Sequence, residues 1–255
     1  MVKSEKRMHK FGLIGKNIAY SFSPEYFATK FRQLGLEDHR YEIFDLEDIS
    51  QFPELLLTVG PLSGLNVTIP YKEAVIPYLD SLSEEAKAIG AVNTICFSDG
   101  KLMGHNTDIQ GFTKSISSIL QEKRPKALVL GSGGASKAII YALQRMDLSF
   151  TQVSRRTQPG MITYESLNTD MVRSHTLIIN CTPIGTFPNI DEKPGIPYNG
   201  ITSDHILYDL VYTPEKSAFL ADGESRGAVI CNGLPMLEGQ AEASWKLWQS
   251  YTCRS

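Results

Sequence analysis

The sequence predicts an α/β protein of two domains followed by a returning C-terminal helix. Three observations lead there: short apolar strands alternate with helical spacing along the chain, a glycine-rich turn joins a strand directly to a helix at 126–145, and the length of 255 residues suits two modest cores. The expected boundaries are 1–103 for the first domain, 104–236 for the second and 237–255 for the closing helical segment. Hydrophobic residues at 42% and charged residues at 21% give the balance of a chain that folds by burial.

In the first domain the order reads strand FGLIG, helix from Pro24 to about Leu34, strand YEIFDL, helix from about Leu46 to Leu56, strand SGLNVTI, then helical stretches to Ile89. A mostly parallel, covered sheet follows from that alternation. AVNTICF and KLMGHNT flank Asp99-Gly100, a dipeptide that tolerates the positive φ of a tight hairpin. The second domain opens with a helix over about Asp108 to Gln121. Strands KALVL, FTQVS, HTLIINCT, HILYDLVY and AVICNG recur after it. From about Leu237 to Gln249, Ala241, Trp245 and Trp248 fall on one helical stripe, which we expect to pack back onto the first domain.

Charge and cysteine usage exclude several classes of function. A net charge of −3 and a pI near 6.0 supply no positive field for nucleic acid or anionic lipid. The basic start MVKSEKRMHK precedes an apolar run too short for a signal peptide, and no run reaches a membrane span, so a cytoplasmic location is expected. Cys96, Cys181, Cys231 and Cys253 form no CxxC pair and read as buried thiols. The 5 histidines have no metal spacing, so no metal is expected.

Strand Lys126–Leu130 runs into Gly131-Ser132-Gly133-Gly134-Ala135-Ser136 and then a helix from Lys137 to Arg145, the context in which backbone N–H groups and a helix dipole receive a pyrophosphate. Ser136 replaces the last glycine of GxGxxG, and an ordinary strand-to-helix turn is the alternative. After the next strand stand Ser154-Arg155-Arg156-Thr157, with no carboxylate to accept from a ribose 2′-hydroxyl. Paired arginines suit a 2′-phosphate, hence NADP; solvated surface arginines are the bland alternative.

SFSP at 21–24, NVTIPYK at 66–72, GAVNT at 90–94, GHNTDIQGF at 104–112, GSGGASKA at 131–138 and GLPMLEGQA at 233–241 together resemble the motifs of shikimate dehydrogenases, in the family's order from Phe11 to about Gln240. The resemblance implies a substrate-binding first domain, a Rossmann-like second domain holding NADP, and reduction of the ketone of 3-dehydroshikimate to shikimate. It implies Ser21 and Ser23 on the substrate carboxylate, and Asn66, Thr68, Lys72, Asn93, Asp108, Tyr212 and Gln240 around the ring. Lys72 and Asp108 are the implied acid–base pair. Gly131, Ser132, Gly133, Gly134, Ala135, Arg155, Arg156 and Thr157 are implied for the cofactor, with Thr182, Leu210 and Gly233 on the nicotinamide side. Glu84 matches a position sometimes assigned to the cofactor.

Each of these has a plainer reading beside it. SFSP spells an N-cap with proline at N1, Asn66 and Asn93 sit at strand ends where asparagines hold turns, and Lys72 reads as a solvated helix lysine. Asp108 reads as an N-cap, Ser81 to Glu84 as a capping box, Leu210 as strand core, Tyr212 as packing and Gln240 as a surface glutamine. The chain also departs from the family: Phe27 stands where a histidine is usual, Arg155 precedes Arg156-Thr157, and Gly160 lies where a basic residue is frequent. A small-molecule substrate and a monomer or homodimer complete the expectation.

Overall fold

The computed structural model describes residues 8–19 and 21–252, with the side chain of Thr252 left aside. Two compact units divide the chain, Met1–Thr107 with Ala241–Ser255, and Asp108–Gln240.

The first unit contains β1 (His9–Gly15), α1 (Ser23–Gln33), β2 (His39–Asp45), α2 (Phe52–Thr58), β3 (Gly64–Val67), β4 (Ser81–Leu82), α3 (Glu84–Ile89), β5 (Thr94–Ser98) and β6 (Lys101–His105). The sheet order is β2-β1-β3-β5-β6-β4, parallel except where β5 pairs antiparallel with β3 and β6. The β5–β6 turn has Asp99 at φ 50° and Gly100 at φ 73°, as an Asp-Gly hairpin requires. One face of the sheet packs Ile14, Leu65, Val67 and Ile95 beneath Phe52 and Val75.

Several elements differ from the sequence expectation. The helix expected from Leu46 starts later, because Asp48 closes a capping box with Gln51 around a short 3-10 turn, and Pro53 then suits the first turn of α2. The capping box expected at Ser81–Glu84 is not there. Ser81 and Leu82 form β4, and Ser83 caps α3 by accepting from Ala86 N. Lys72 lies in a turn, not on a helix.

The second unit contains α4 (Asp108–Leu120), β7 (Ala127–Leu130), α5 (Gly134–Arg145), β8 (Phe150–Ser154), β9 (Met161–Thr163), α6 (Thr169–Ser174), β10 (Leu177–Asn180), β11 (Ile206–Asp209), α7 (Ala218–Ser225) and β12 (Val229–Cys231). Helix α8 (Leu234–Thr252) begins in this unit and supplies its later residues to the first. All strand pairs here are parallel, in the order β12-β11-β10-β7-β8-β9. The chain builds outward from β7 through β8 to β9, then returns to build outward on the other side from β10. That order is the doubly wound Rossmann arrangement, with its switch point between β7 and β10. Its strands are apolar on both faces: Val129, Ile179 and Tyr208 bury toward α4 and α5, while Leu128, Ile178 and Leu207 bury toward Phe219 and Val172.

Among the described residues Cys96 is buried, Cys181 and Cys231 are half-buried, and all three are unbridged thiols; Cys253 lies outside the described residues. No described helix is long and apolar enough to cross a membrane.

The later part of α8 buries Ala241, Trp245 and Trp248 against Phe11, Phe27, Phe31 and Cys96. Trp248 Nε1 donates to Ile95 O at 3.1 Å, and Gly64 leaves room for the indole, since a Cβ there would lie 2.3 Å from Nε1. Trp248→Ala is therefore expected to cost ~3–5 kcal/mol of stability, through lost burial plus the cavity left behind. Urea denaturation followed by the fluorescence of Trp245 checks this, and a loss under ~1 kcal/mol would contradict this packing.

Candidate active site

In the first unit the segment Ala91–Val92–Asn93 holds the chemistry-bearing residues together by backbone and amide bonds. Val92 N donates to Lys72 O at 2.7 Å, Val67 N to Asn93 O at 2.9 Å, and Asn93 N to His105 O at 3.0 Å. Asn106 Nδ2 donates to Ala91 O at 3.0 Å, and Asn93 Oδ1 accepts Thr107 N at 2.7 Å. The NVTIPYK turn and the Asn106–Thr107 approach to Asp108 are thus tied to one segment.

Asn93 does more than hold an ordinary turn, because its Oδ1 also accepts the hydroxyls of Thr94 at 3.0 Å and Thr107 at 3.1 Å. Asn66 Oδ1 accepts Tyr41 OH at 2.8 Å, and Asn66 Nδ2 donates to Asn93 O at 3.1 Å. Both asparagines are buried. Thr68 is half-buried just after β3, its N–H donating to Ile14 O at 2.9 Å.

Ser21 and Ser23 stand at the start of α1, but neither is its N-cap. The N-cap position is Phe22, which offers no side-chain bond, while Pro24 sits in the first turn. Ser21 Oγ accepts Ser23 N at 3.3 Å, and Ser23 also bonds the Tyr41 hydroxyl. Burial pushes the Tyr41 phenol up and the Ser23 bond opposes it, so Tyr41 stays a neutral donor. Phe27, in place of the family's usual histidine, stacks on the Tyr41 ring at 4.4 Å. Glu84 is exposed and pairs with Lys87 at 2.8 Å.

In the second unit Asp108 is buried and is the first residue of α4, not its N-cap. Gly111 on α4 lies against α8, where a Cβ would meet Met236 O at 2.4 Å and Gln240 N at 2.9 Å. This glycine contact brings half-buried Gln240 beside the turn that Asp108 begins.

The glycine loop leaves β7 at the switch point. Gly131 has φ 117°, which favours glycine, and Gly131 N donates to Val153 O at 2.8 Å. Helix α5 starts at Gly134, earlier than the Lys137 expected from sequence, so Ser136 lies in its first turn and donates to Gly133 O at 2.7 Å. Gln152 on β8, unremarked in the sequence, donates to Gly131 O at 2.9 Å and steadies the loop. A Cβ at Gly133 would enter open space, and the half-buried Ser132 and Ala135 flank it. Arg155, Arg156 and Thr157 are exposed immediately after β8, with Arg156 N bonded to Ser154 Oγ at 3.2 Å. Open backbone at a helix N-terminus with two exposed guanidiniums one strand away fits a dinucleotide carrying an added phosphate.

Across the switch point, Thr182 follows β10 and approaches the glycine loop, 3.2 Å from a Cβ built on Gly131. Asn180 Oδ1 accepts both Thr182 N at 3.0 Å and Thr182 Oγ1 at 2.6 Å, while Asn180 Nδ2 donates to Asp209 Oδ1 at 2.9 Å. Asp209 accepts Val211 N at 3.0 Å and Ser217 Oγ at 2.5 Å, which fixes half-buried Leu210 and Tyr212 on either side. Gly233 must be glycine because a Cβ would lie 2.2 Å from Leu210 O. Asn180 and Asp209 were missed in the sequence. Their signal was a polar residue ending each apolar run, LIIN and ILYD.

The comparisons with known proteins agree with one another. Residues 13–95 match the model described as shikimate dehydrogenase substrate binding domain. An NADP(+) shikimate dehydrogenase of Clostridium botulinum is 39% identical over 252 residues, covering 94% of this chain and 96% of that one. Another from Pelodictyon phaeoclathratiforme is 38% identical over 267 residues, covering 97% and 93%. The crystal structure of Thermus thermophilus shikimate 5-dehydrogenase in complex with NADP(H) and shikimate superposes with a TM-score of 0.86 at 31% identity, covering 95% and 94%.

Burial raises the Asp209 carboxyl from 3.8 to about 6, against the hydrogen bonds from Ser217, Val211 and Asn180. The native state therefore holds this proton more tightly than the unfolded chain, and the group's contribution to stability rises as pH falls from about 6 toward 3.8. Replacement by asparagine removes the titration. The stability of the parent minus that of Asp209→Asn should grow by about 2–3 kcal/mol between pH 7 and 4. Urea unfolding at a series of pH values measures it; a flat difference would refute the shift.

Proposed function

The chain belongs to the shikimate dehydrogenase family, and we propose that it catalyses the reversible NADPH-dependent reduction of 3-dehydroshikimate to shikimate, with the first unit binding substrate and the second binding the cofactor. The observation that carries this reading is the pairing of the Ala91–Asn93 cradle, which holds Lys72 and the approach to Asp108, with a doubly wound sheet whose glycine loop and arginines fit NADP.

NADP supplies or removes the hydride when bound; the chain's own side chains do the rest. Reduction of the ketone leaves negative charge on its oxygen. The Lys72 ammonium stabilises that charge and gives up a proton to the oxygen, and the Asp108 carboxylate orients the lysine and a neighbouring hydroxyl. Ser21 and Ser23 donate to the substrate carboxylate. Asn66, Thr68, Asn93, Tyr212 and Gln240 meet the ring hydroxyls, a polar set suited to a polyol. Gly131 to Ala135 receive the pyrophosphate, Arg155, Arg156 and Thr157 the 2′-phosphate, and Thr182, Leu210 and Gly233 border the nicotinamide. Glu84, whose exposed carboxylate pairs with Lys87, is a further cofactor contact in this reading.

The enzyme acts in biosynthesis of aromatic compounds, as a monomer or homodimer in the cytoplasm, on a small acid. No nucleic acid or membrane enters this reading, in keeping with the net charge of −3.

Lys72→Met keeps most of the side-chain volume and loses the proton. Its turnover should fall by about 10²–10⁴ while the KM for shikimate stays within a few-fold. Steady-state kinetics on the folded variant decides this, and near-parental turnover would take Lys72 out of the mechanism. Arg156→Ala should raise the KM for NADP about ten- to a hundredfold and leave that for NAD nearly unchanged. Equal effects on both cofactors would refute the phosphate contact.

A further inference from the structure

We infer that Ser244, on the C-terminal helix, is a positioning residue of the substrate site: its hydroxyl bonds the buried amide of Asn66 and the two threonine hydroxyls that hold the amide of Asn93. The inference rests on the functional reading above, in which those two asparagines meet the substrate hydroxyls.

Ser244 is fully buried in the polar centre of the first unit. Its Oγ lies 3.0 Å from Asn66 Nδ2, 2.8 Å from Thr94 Oγ1 and 3.1 Å from Thr107 Oγ1. Tyr41 OH donates to Asn66 Oδ1, which turns Nδ2 of that amide toward Ser244. The Thr94 and Thr107 hydroxyls lie within hydrogen-bond distance of both Asn93 Oδ1 and Ser244 Oγ. Ser244 accepts from Asn66, and its shorter contact is to Thr94. Tyr41, Asn66, Ser244, Thr94, Thr107 and Asn93 thus form one connected buried network.

An amide has a donor end and an acceptor end of nearly equal shape, so packing alone does not choose between them. Tyr41 makes that choice for Asn66, and the threonines make it for Asn93. Ser244 adds a hydroxyl that touches both halves, beside the direct bond from Asn66 Nδ2 to Asn93 O. Without its hydroxyl, Asn66 Nδ2 loses one of its acceptors and Thr94 loses a partner, both of them buried.

Kinetics of the full-length protein tests this. Ser244→Ala creates no clash and should raise the KM for shikimate about tenfold, with the KM for NADP changed by no more than about twofold. Trp245→Leu, which removes packing next to Ser244 without touching the chain of hydroxyls, is the control: it should lower the melting temperature at least as much and leave the shikimate KM near the parent's. An unchanged shikimate KM in Ser244→Ala, with an active parent, would overturn the inference alone. An equal rise in Trp245→Leu would also overturn it, since loss of stability would then explain both. A parent that does not oxidise shikimate would remove the functional reading and this inference with it.

Discussion

The bond from Thr107 N to Asn93 Oδ1, at 2.7 Å, is the constraint on which the candidate site depends. It fixes the place where the chain leaves β6. The same segment, through Val92 N, holds the Lys72 carbonyl. The Lys72 turn and the Asn106–Thr107 segment that follows β6, far apart in sequence, are thereby held by one short stretch, Ala91–Asn93. Elsewhere in the first unit, polar groups orient one another inside an apolar shell. Phe27 and Trp248 surround Tyr41, and Tyr41 turns the Asn66 amide. Buried polar networks of this kind are costly when half satisfied and specific when complete.

The second unit solves a different problem by the same means. Its inner strands β10 and β11 are apolar on both faces and carry polar side chains at their carboxyl ends, on the side where the switch point opens. Asn180 and Asp209 end adjacent strands there and bond each other at 2.9 Å. Their remaining bonds fix the turns at Thr182 and Leu210–Tyr212. Three neutral donors hold the Asp209 carboxyl in that place and draw its titration down, but burial outweighs them and the titration is raised.

Much of this was legible in the sequence. Strand–glycine–helix at 126–145, the Asp-Gly hairpin and the stripe through Ala241, Trp245 and Trp248 each rest on local rules that the surroundings reinforce. Boundaries set by competing caps were not legible. Ser81, Ser83 and Asp48 all look like caps, and only pairing of β4 with β6 removes Ser81 from the choice. Ser244 left a fainter mark. It occupies the i+3 position of the Ala241 stripe, where a lone hydroxyl among apolar neighbours signals a buried partner, but the partners Asn66 and Thr94 are distant in sequence. Phe27 was visible as a departure from the family. Its physical meaning, a ring stacked on Tyr41, needed the fold.

The central claim is that this chain oxidises and forms shikimate with NADP. Initial rates of nicotinamide reduction, with shikimate as the sole reductant and NADP or NAD as the acceptor, test it most directly. The account predicts reduction that requires shikimate and is faster with NADP than with NAD at equal, limiting cofactor. No shikimate-dependent reduction with either cofactor would contradict it.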